Sequence, residues 1–472
     1  MFLNQRKFFV SKFSKPAVYT ISIFLLLCTF ISTLIPPFQS PDEFDHIKRA
    51  YLLSKGTIVL RSPEGNSSGG MVDTGLSSFM SVYEILKFKF DRKLSADEIN
   101  SAKNIKWSGI RKFSPAPGTG YYFPAVYVPQ AIGLAIGEKL GLSVHDSYYL
   151  SRVFALVTVA IILYAASYIY SFNPLLIALL IMPMSIFQFS SASIDGISTA
   201  LSIFVIASFL RIANDKEDAN PWLYYALIVF LVLIVTCRVN LFPMFLLALV
   251  SCLYIKKRKY FFVFVFSFIA SLIWLVIAIK TTTGTRMVAG PSTSTVIGFY
   301  LKNPFKYFQL LYTTVMNYDL VKFYLKSFLG ILGWLDTPFN HETYTHLTIF
   351  ILLIGFFSFS LRDIRANLKP RILLFLCSLG SVLLIFFALL VTWTPHPATQ
   401  ILGVQGRYFL VPMIMLSYAI SGDIKTNIGF YRKLSILILF IFSIYATVVT
   451  TNILIDRYYL TKKIPENISS KL

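Results

Sequence analysis

The sequence predicts an all-α membrane protein that crosses the bilayer several times, and three observations support this fold class. Of the 472 residues, 56% are hydrophobic and only 14% are charged, a balance typical of polytopic membrane proteins. Apolar runs long enough to form spanning helices recur along the chain. The net charge of +21 arises from 43 Lys and Arg against 22 acids, and the basic residues cluster in the short segments between the runs. That distribution indicates membrane orientation and contact with anionic lipids, so nucleic-acid binding is the weaker interpretation.

The first apolar run, Val18 to Ile35, is predicted to be a retained spanning helix. A signal peptide is the alternative, but Pro36-Pro37 follows the run where a small-residue cleavage site would stand. Residues 1–16 are predicted to form a cytoplasmic tail because they carry four basic side chains, Arg6, Lys7, Lys12 and Lys15.

Residues 36–123 form the longest polar stretch and are predicted to be the first external loop. Within it, Ser95-Ala96-Asp97-Glu98 has the pattern of a capping box that opens a short helix. The next segment, Tyr121 to Leu140, is apolar but interrupted by prolines and glycines. It is predicted to lie along the membrane interface rather than to span.

The remaining apolar runs predict further spans, about eleven in total, with the N-terminus inside and the C-terminus outside. Trp222 to Ile255 is about twice a minimal span. It is interpreted as a hairpin of two short helices, because Lys256-Lys257-Arg258-Lys259 then lies inside; a single tilted helix is the alternative. The other predicted spans are Tyr148–Tyr170, Leu175–Phe189, Ile197–Ile212, Phe261–Ile279, Tyr344–Leu361, Ile372–Val391, Tyr408–Ser421 and Leu434–Leu454.

Two further external regions complete the predicted topology of what is interpreted as one transmembrane domain, residues 1–472. Residues 280–343 form the second, with a mixed apolar and basic stretch from Phe299 to Leu329 suited to an interfacial helix. Residues 394–407 form the third. Four cysteines lie in or beside apolar runs without paired spacing, which favours neither a disulfide framework nor a zinc site.

This topology places most of the chemically interesting residues on the external face. The cytoplasmic loops are short and contain no glycine-rich phosphate loop. Nucleotide sugars and ATP are scarce outside the cell, so a transferase acting there needs a donor delivered in the membrane, such as a lipid-phosphate conjugate. The residues predicted on that face are the acidic cluster at 42–45, Asp195, Arg238, Asp336, Arg407 and all five histidines.

Asp42-Glu43 and Asp45-His46, just after Pro36-Pro37, form the strongest local signal. A sugar transferase that displaces a phosphate needs a carboxylate to accept the proton of the incoming hydroxyl, and a neighbouring carboxylate or histidine can tune its pKa. The alternative is that these acids simply mark a helix start and interact with its dipole. The residues alone leave both interpretations open.

Two arginines are candidates for binding a phosphate. Arg407, in Gly403-Val404-Gln405-Gly406-Arg407-Tyr408-Phe409, lies where a predicted helix enters the membrane, and a guanidinium can grip a phosphate with two hydrogen bonds. A snorkelling interfacial anchor is the alternative. The flanking glycines would let a ligand approach the backbone and favour a functional role. Arg238 stands between two short apolar helices and is interpreted in the same way.

Three other positions have equally ordinary explanations. Asp195 follows a serine-rich segment, and its default role is to cap the next helix. Trp334 and Asp336 pair an indole with a carboxylate, which suits carbohydrate stacking but also an interfacial tryptophan belt. The histidines have no ligand spacing, so no metal site and no cofactor are predicted.

Five motifs occur in order along the chain, and together they resemble one known family. It is a large family of bacterial polytopic membrane proteins grouped with the GT-C glycosyltransferase superfamily. The five matching segments are Pro37–His46, Tyr121–Gln130, Ser191–Asp195, Gly333–Pro338 and Gly403–Tyr408.

The resemblance implies a GT-C fold in the bacterial inner membrane, with the catalytic acid in the first external loop. It implies inverting transfer of a sugar, with glucose as a candidate, from a polyprenyl-phosphate donor to a surface polysaccharide or lipid-linked glycan, as in serotype-converting O-antigen glucosyltransferases. Asp42 and Glu43 would be the base and its partner, and which of them acts stays open. Arg407 and Arg238 would contact the donor phosphate, although the family often has lysine at the latter position. The substrate-binding candidates are Asp45, His46, Asp195, Trp334, Asp336, Gln405 and Tyr408.

Two other functions fit a membrane protein of this kind. A flippase of lipid-linked sugars would carry polar residues through its spans, whereas these spans are almost uncharged. A polysaccharide polymerase would also use external arginines. The sequence favours the glycosyltransferase and keeps the flippase and the polymerase as alternatives.

Overall fold

The computed structural model describes residues 15–63, 66–284, 291–422 and 429–460, and in these ranges the chain is mostly helical. The helices are α1 (Lys15–Leu34), α2 (Glu43–Ser54), α3 (Thr74–Glu84), α4 (Ala96–Asn104), α5 (Val128–Lys139), α6 (Val144–Ile169), α7 (Pro174–Ile181), α8 (Pro183–Phe189), α9 (Asp195–Asp215), α10 (Pro221–Val235), α11 (Phe245–Ile255), α12 (Arg258–Thr281), α13 (Thr293–Lys302), α14 (Pro304–Val315), α15 (Tyr318–Gly330), α16 (His341–Ser358), α17 (Leu361–Ala366), α18 (Leu368–Thr392), α19 (Leu410–Ile420) and α20 (Phe430–Tyr458).

The apolar runs that were predicted to span are mostly helical in the structure, but the prediction of one continuous helix over Leu175–Phe189 is wrong, because Pro183 breaks it into α7 and α8. Five helices of the described part are long and apolar enough to cross a membrane, namely α6, α9, α12, α18 and α20. Four shorter apolar stretches, Val18–Leu34, Pro221–Val235, Val239–Ile255 and Gly406–Ile420, accompany them. The chain is therefore a helical membrane protein, and the count of about eleven spans stays a prediction.

The segment from Trp222 to Ile255 is the predicted pair of helices. α10 ends at Val235, a short 3-10 turn containing Pro243 follows, and α11 begins at Phe245. Lys256, just after α11, lies 2.7 Å from the Glu217 carboxylate just before α10. Because this ion pair brings both ends of the segment together, the hairpin is confirmed and the single tilted helix is wrong.

Helices α7, α8 and α9 form the centre of the bundle. Met182 adopts an extended conformation before Pro183 and separates α7 from α8, as the residue before a proline tends to do. In α9, 94% of the most apolar window is buried inside the protein. The core thus surrounds α9 and fixes the position of its first residue, Asp195.

Four short strands are the exception to the all-α prediction, which is wrong for these segments. Strands β1 (Gly69–Asp73) and β2 (Arg111–Pro115) pair antiparallel within the first polar region, and β3 (Ile331–Leu332) pairs with β4 (Thr337–Pro338). These strands are too short to show an alternating pattern in the sequence. The predicted capping box at α4 is confirmed, with reciprocal hydrogen bonds between Ser95 and Glu98.

The two predicted interfacial segments are helical but broken. Residues 121–140 contain a 3-10 turn, Pro124–Tyr127, followed by α5, which packs on α6. Residues 299–329 lie in α13, α14 and α15. These helices expose large apolar side chains of the kind that face lipid in a membrane protein, among them Leu301, Phe305, Tyr312 and Tyr318.

Contacts between loops join segments that the predicted topology places on the same side. Lys93 Nζ donates to the carbonyl of Asp456, and the Tyr459 hydroxyl donates to the carbonyl of Leu34, all in predicted external segments or at their edges. The Arg371 guanidinium donates to the carbonyl of Ser421, and both lie at predicted cytoplasmic loops. The orientation of the chain in the membrane stays a prediction. Residues 1–14 of the predicted tail lie outside the described residues.

Candidate active site

Asp42 is the residue directly before α2, but its carboxylate does not cap that helix. Its backbone is left-handed, with φ 63° and ψ 3°, and its side chain makes no capping hydrogen bond. A left-handed conformation costs a residue other than glycine about 1–2 kcal/mol. The Asp42 carboxylate instead accepts a 2.7 Å hydrogen bond from Arg407 Nη2. The interpretation that Asp42 merely marks a helix start is therefore insufficient.

A second carboxylate, that of Asp195, joins the same group of charges. It accepts a hydrogen bond from Arg238 Nη2 and lies 3.5 Å from Arg407 Nη1. Since Asp195 makes no capping bond for α9, the default capping role is wrong for it as well. Arg407 thus bridges the two carboxylates. We call Asp42, Asp195, Arg238 and Arg407 the Asp42 centre.

Three chain breaks bring the Asp42 centre together. Asp195 begins α9, Arg238 lies between α10 and α11, and Arg407 lies in a 3-10 turn before α19. Helix ends and breaks leave polar backbone and side chains free to face one another at the end of an apolar bundle. All four residues were predicted from the sequence, and in the structure they form one chain of ion pairs, from Asp42 through Arg407 and Asp195 to Arg238.

Only one member of the Asp42 centre is widely accessible. The Asp42 side chain is 57% exposed although protein surrounds it on several sides, whereas that of Arg407 is 4% exposed. Burial alone would raise the pKa of the Asp42 carboxyl, but Arg407, His46 and Arg238 outweigh it and hold that pKa below its usual range. Asp42 is therefore an ionised, open carboxylate at neutral pH.

His46 lies close enough to all four members of the Asp42 centre to feel their charges, and it is neutral. Its Nδ1 is 2.8 Å from the Tyr127 hydroxyl, and its side chain is buried. Burial lowers the pKa of His46 to about 4, so the ring carries no charge near pH 7. Within the described ranges, no group of three His, Cys, Asp or Glu side chains is arranged to hold a metal ion.

Two tyrosines flank the arginines. The Arg238 guanidinium lies 5.7 Å from the centre of the Tyr122 ring, and the Arg407 guanidinium lies 5.2 Å from that of Tyr408. Gln405 Oε1 is buried without a hydrogen-bond partner in the described part of the chain. Tyr408 and Gln405 were predicted from the sequence, whereas Tyr122 was not, although it lies within the segment Tyr121–Gln130 of the family resemblance.

The comparison with protein families covers all four residues of the Asp42 centre. A family described as predicted membrane protein (DUF2142) matches residues 24–417. The chain belongs to this family. No curated protein and no solved structure matches the chain. The function of this DUF2142 protein must therefore be argued from its own residues.

Glu43, the neighbour of Asp42, points away from the open space. Its carboxylate is fully buried and accepts 2.7 Å hydrogen bonds from the Tyr148 hydroxyl and the Ala192 backbone N–H. It also lies 3.6 Å from Arg152 Nη2. Tyr148 and Arg152 were not predicted from the sequence, although an arginine inside a predicted span indicates a buried partner. Two consecutive carboxylates thus have different environments, one open and one enclosed.

The remaining predicted substrate-binding residues lie beside or away from the Asp42 centre. Asp45 pairs with Lys48 at 3.5 Å. The Trp334 Nε1–H donates to the carbonyl of Phe38. Asp336 accepts 3.0 Å hydrogen bonds from Arg457 Nη2 and from the Phe88 N–H. The contacts of Asp336 join a turn to α20 and leave little of its carboxylate for a substrate.

The glycine before Arg407 has a packing role. A Cβ atom at Gly406 would collide with backbone atoms of Phe328 and Tyr324 in α15. The space beside this glycine is thus filled by a helix, and the interpretation that it leaves room for a ligand is wrong. Close approach of α15 is what fixes the turn that carries Arg407.

We expect Gly406→Ala to destabilise the protein by about 1–3 kcal/mol, because α15 must move to admit the methyl group. Thermal unfolding in detergent measures the change. Gly298→Ala in α13 is the matched control, since nothing lies within 4 Å of its added Cβ. Equal unfolding temperatures for the two variants would contradict the packing role.

We expect Arg407→Gln to raise the pKa of Asp42. In the wild type, the folded-state pKa lies below the unfolded value of about 4, so this carboxylate stabilises the fold above that pH and the contribution is lost as the pH falls through the folded-state pKa. Infrared difference spectra of the carboxyl C=O stretch, assigned with Asp42→Asn, report the titration without a substrate. An unchanged Asp42 titration in Arg407→Gln would show that the ion pair has no electrostatic effect.

Proposed function

We propose that this protein is a GT-C type glycosyltransferase that moves a sugar from a polyprenyl-phosphate donor to a hydroxyl of a surface polysaccharide or lipid-linked glycan. The observation that carries the proposal is the open, ionised Asp42 carboxylate, turned away from its helix and held by Arg407. Asp42 alone is the proposed base, since Glu43 is enclosed by Tyr148, Ala192 and Arg152.

The proposed reaction is a single inverting displacement. Asp42 accepts the proton of the acceptor hydroxyl as its oxygen bonds to the anomeric carbon. The bond between that carbon and the phosphate oxygen breaks on the opposite side, and polyprenyl phosphate leaves with the electron pair. Charge develops on the leaving phosphate, so cations placed beside it favour the transition state.

Arg238 and Arg407 are suited to that phosphate. Both guanidiniums belong to the Asp42 centre, and Arg407 Nε has no hydrogen-bond partner among the described residues. The free Nε–H, beside Nη groups that the two carboxylates already orient, can donate a hydrogen bond to a phosphate oxygen. Asp195 would then act by holding both guanidiniums in place, with Tyr122 and Tyr408 as walls.

The membrane supplies the donor in this proposal. The Asp42 centre lies among the ends of apolar helices, so a polyprenyl chain in the bilayer can present its phosphate there without leaving lipid. By the distribution of basic loops, we place the centre on the external side of a bacterial inner membrane. Polyprenyl-phosphate glucose as the donor and O-antigen as the acceptor are the first pair to test.

Mass analysis of the cell's polysaccharide, with and without the gene, tests the proposal. The glycosyltransferase predicts loss of a side-branch hexose while chain length is kept. Shorter chains would support a polymerase. Accumulation of lipid-linked sugar on the cytoplasmic side in cells that lack the gene, together with no sugar transfer by the purified protein, would support a flippase.

A further inference from the structure

An aromatic and cationic surface lies near Asp42 and takes no part in the proposed displacement. Lys87 Nζ lies 4.0 Å from the centre of the Trp334 ring and 5.0 Å from that of Phe44. The Phe88 ring lies 6.0 Å from Trp334. Phe44 is two residues from Asp42 and contacts Trp334 at 5.8 Å. We call Phe44, Lys87, Phe88 and Trp334 the Lys87 platform.

The ammonium of this platform makes no direct ion pair. In the part of the chain that the structure describes, no carboxylate lies within 4.0 Å of Lys87 Nζ; Asp45 acts on it from a longer distance and pairs directly with Lys48 at 3.5 Å. A lysine over two rings is partly desolvated, which strengthens its attraction for an added anion. The Lys87 platform therefore offers a positive charge that has no direct ion-pair partner, over the ring of Phe44, two residues from the proposed base.

The ring of Phe88 is held on the surface by a strained backbone. Phe88 is 67% exposed and has φ 57°. Its N–H donates to Asp336, which Arg457 holds in turn. Leu335, in the facing turn, is also left-handed, with φ 63°. Two strained turns tied by one carboxylate keep an apolar ring exposed, and such strain persists where the surrounding structure enforces it, often at ligand sites.

We propose that Lys87, Phe88 and Trp334 form an acceptor subsite for an anionic saccharide, in which the ring of Phe88 stacks on a sugar and Lys87 binds a carboxylate or phosphate of the same glycan. This inference rests on the proposed transfer reaction and adds the chemical class of its acceptor. The reacting hydroxyl would lie at Asp42, beyond the Phe44 edge of the platform. A neutral glycan would leave the Lys87 ammonium unpaired.

Binding of defined saccharides to the full-length protein in detergent tests the subsite without any donor. The probes are three tetrasaccharides with the same backbone: one is neutral, one carries a carboxylate and one carries a phosphate. We expect one charged probe to bind about tenfold or more tightly than the neutral probe, as a charge-assisted hydrogen bond allows, and to weaken as salt is added. The preferred probe distinguishes a uronic acid from a phosphorylated sugar.

Two variants and one control make the test specific. Lys87→Gln should remove the preference for the charged probe. Phe88→Asn should weaken the binding of all three probes. Asparagine is chosen because it tolerates the left-handed backbone at this position. Phe305→Asn, which removes a phenyl ring 88% exposed on α14, should change nothing.

Three results would overturn the subsite: equal binding of neutral and charged probes, no binding of any probe, or an unchanged preference in Lys87→Gln. Weaker association of Phe88→Asn with lipid vesicles, with unchanged saccharide binding, would make Phe88 a membrane anchor and also overturn it. If the subsite fails while transfer still depends on Asp42, the proposed function stands. If binding follows the expected pattern while purified protein transfers no sugar, the proposed function fails instead.

Discussion

Asp42→Asn is expected to lower sugar transfer by about a thousandfold, within the range for loss of a general base. The amide keeps the size of the side chain. Its oxygen can still accept a hydrogen bond from Arg407 Nη2, which lies 2.7 Å from the carboxylate in the wild type. It cannot accept the proton of the acceptor hydroxyl. The measurement is the side-branch sugar content of polysaccharide from cells that carry only the variant gene.

The matched control for this variant is Asp97→Asn, an exposed carboxylate on α4. It makes the same chemical change far from the Asp42 centre and should leave the side branch at the wild-type level. Protein amounts in the membrane must be equal for both variants. Full modification in Asp42→Asn cells would remove Asp42 from the role of base.

Glu43→Ala is expected to destabilise the fold by about 3–5 kcal/mol, because it leaves a buried arginine without its partner. Arg152 would lose its only carboxylate partner among the described residues and keep backbone carbonyls alone, and the Tyr148 hydroxyl and the Ala192 N–H would lose their acceptor. Ala192 lies in the segment that leads into Asp195, so the change should also loosen the Asp42 centre. Thermal unfolding in detergent measures the loss.

Two further variants separate the loss of the buried carboxylate from a general effect of removing a charge. Glu84→Ala, at an exposed position at the end of α3, should change stability by less than about 0.5 kcal/mol. Glu43→Gln retains an acceptor for Tyr148 and should fall between the two. If Glu43→Ala unfolds like the wild type but loses transfer, Glu43 belongs in the chemistry and the assignment of Asp42 as sole base is wrong.

Most of the helical architecture follows from the sequence. Runs of 18 or more apolar residues can form only helices in a bilayer, so α6, α12, α18 and α20 were predicted within a few residues of their observed ends. The strands β1 and β2 were not predicted, because their pairing joins residues far apart in the chain and leaves no local pattern.

The members of the Asp42 centre were also predictable, since charged residues at the ends of apolar helices are costly and mark functional sites. Their individual roles were not. Asp42 and Glu43 are neighbours of the same chemical type, and only the left-handed backbone at Asp42 sends one carboxylate to Arg407 and the other into the core. Of the Lys87 platform, only Trp334 was predicted from the sequence. The platform forms because the turn at Phe88 meets the turn at Asp336 through a hydrogen bond, and these turns are far apart in the chain.

The most direct test of the account is transfer of a labelled hexose from a defined polyprenyl-phosphate donor by the purified protein in lipid vesicles, with the anomeric configuration of the product determined. We predict transfer with inverted configuration by the wild type and its loss in Asp42→Asn. Absence of transfer from every polyprenyl-phosphate hexose, retained configuration, or equal rates for the two proteins would contradict the account.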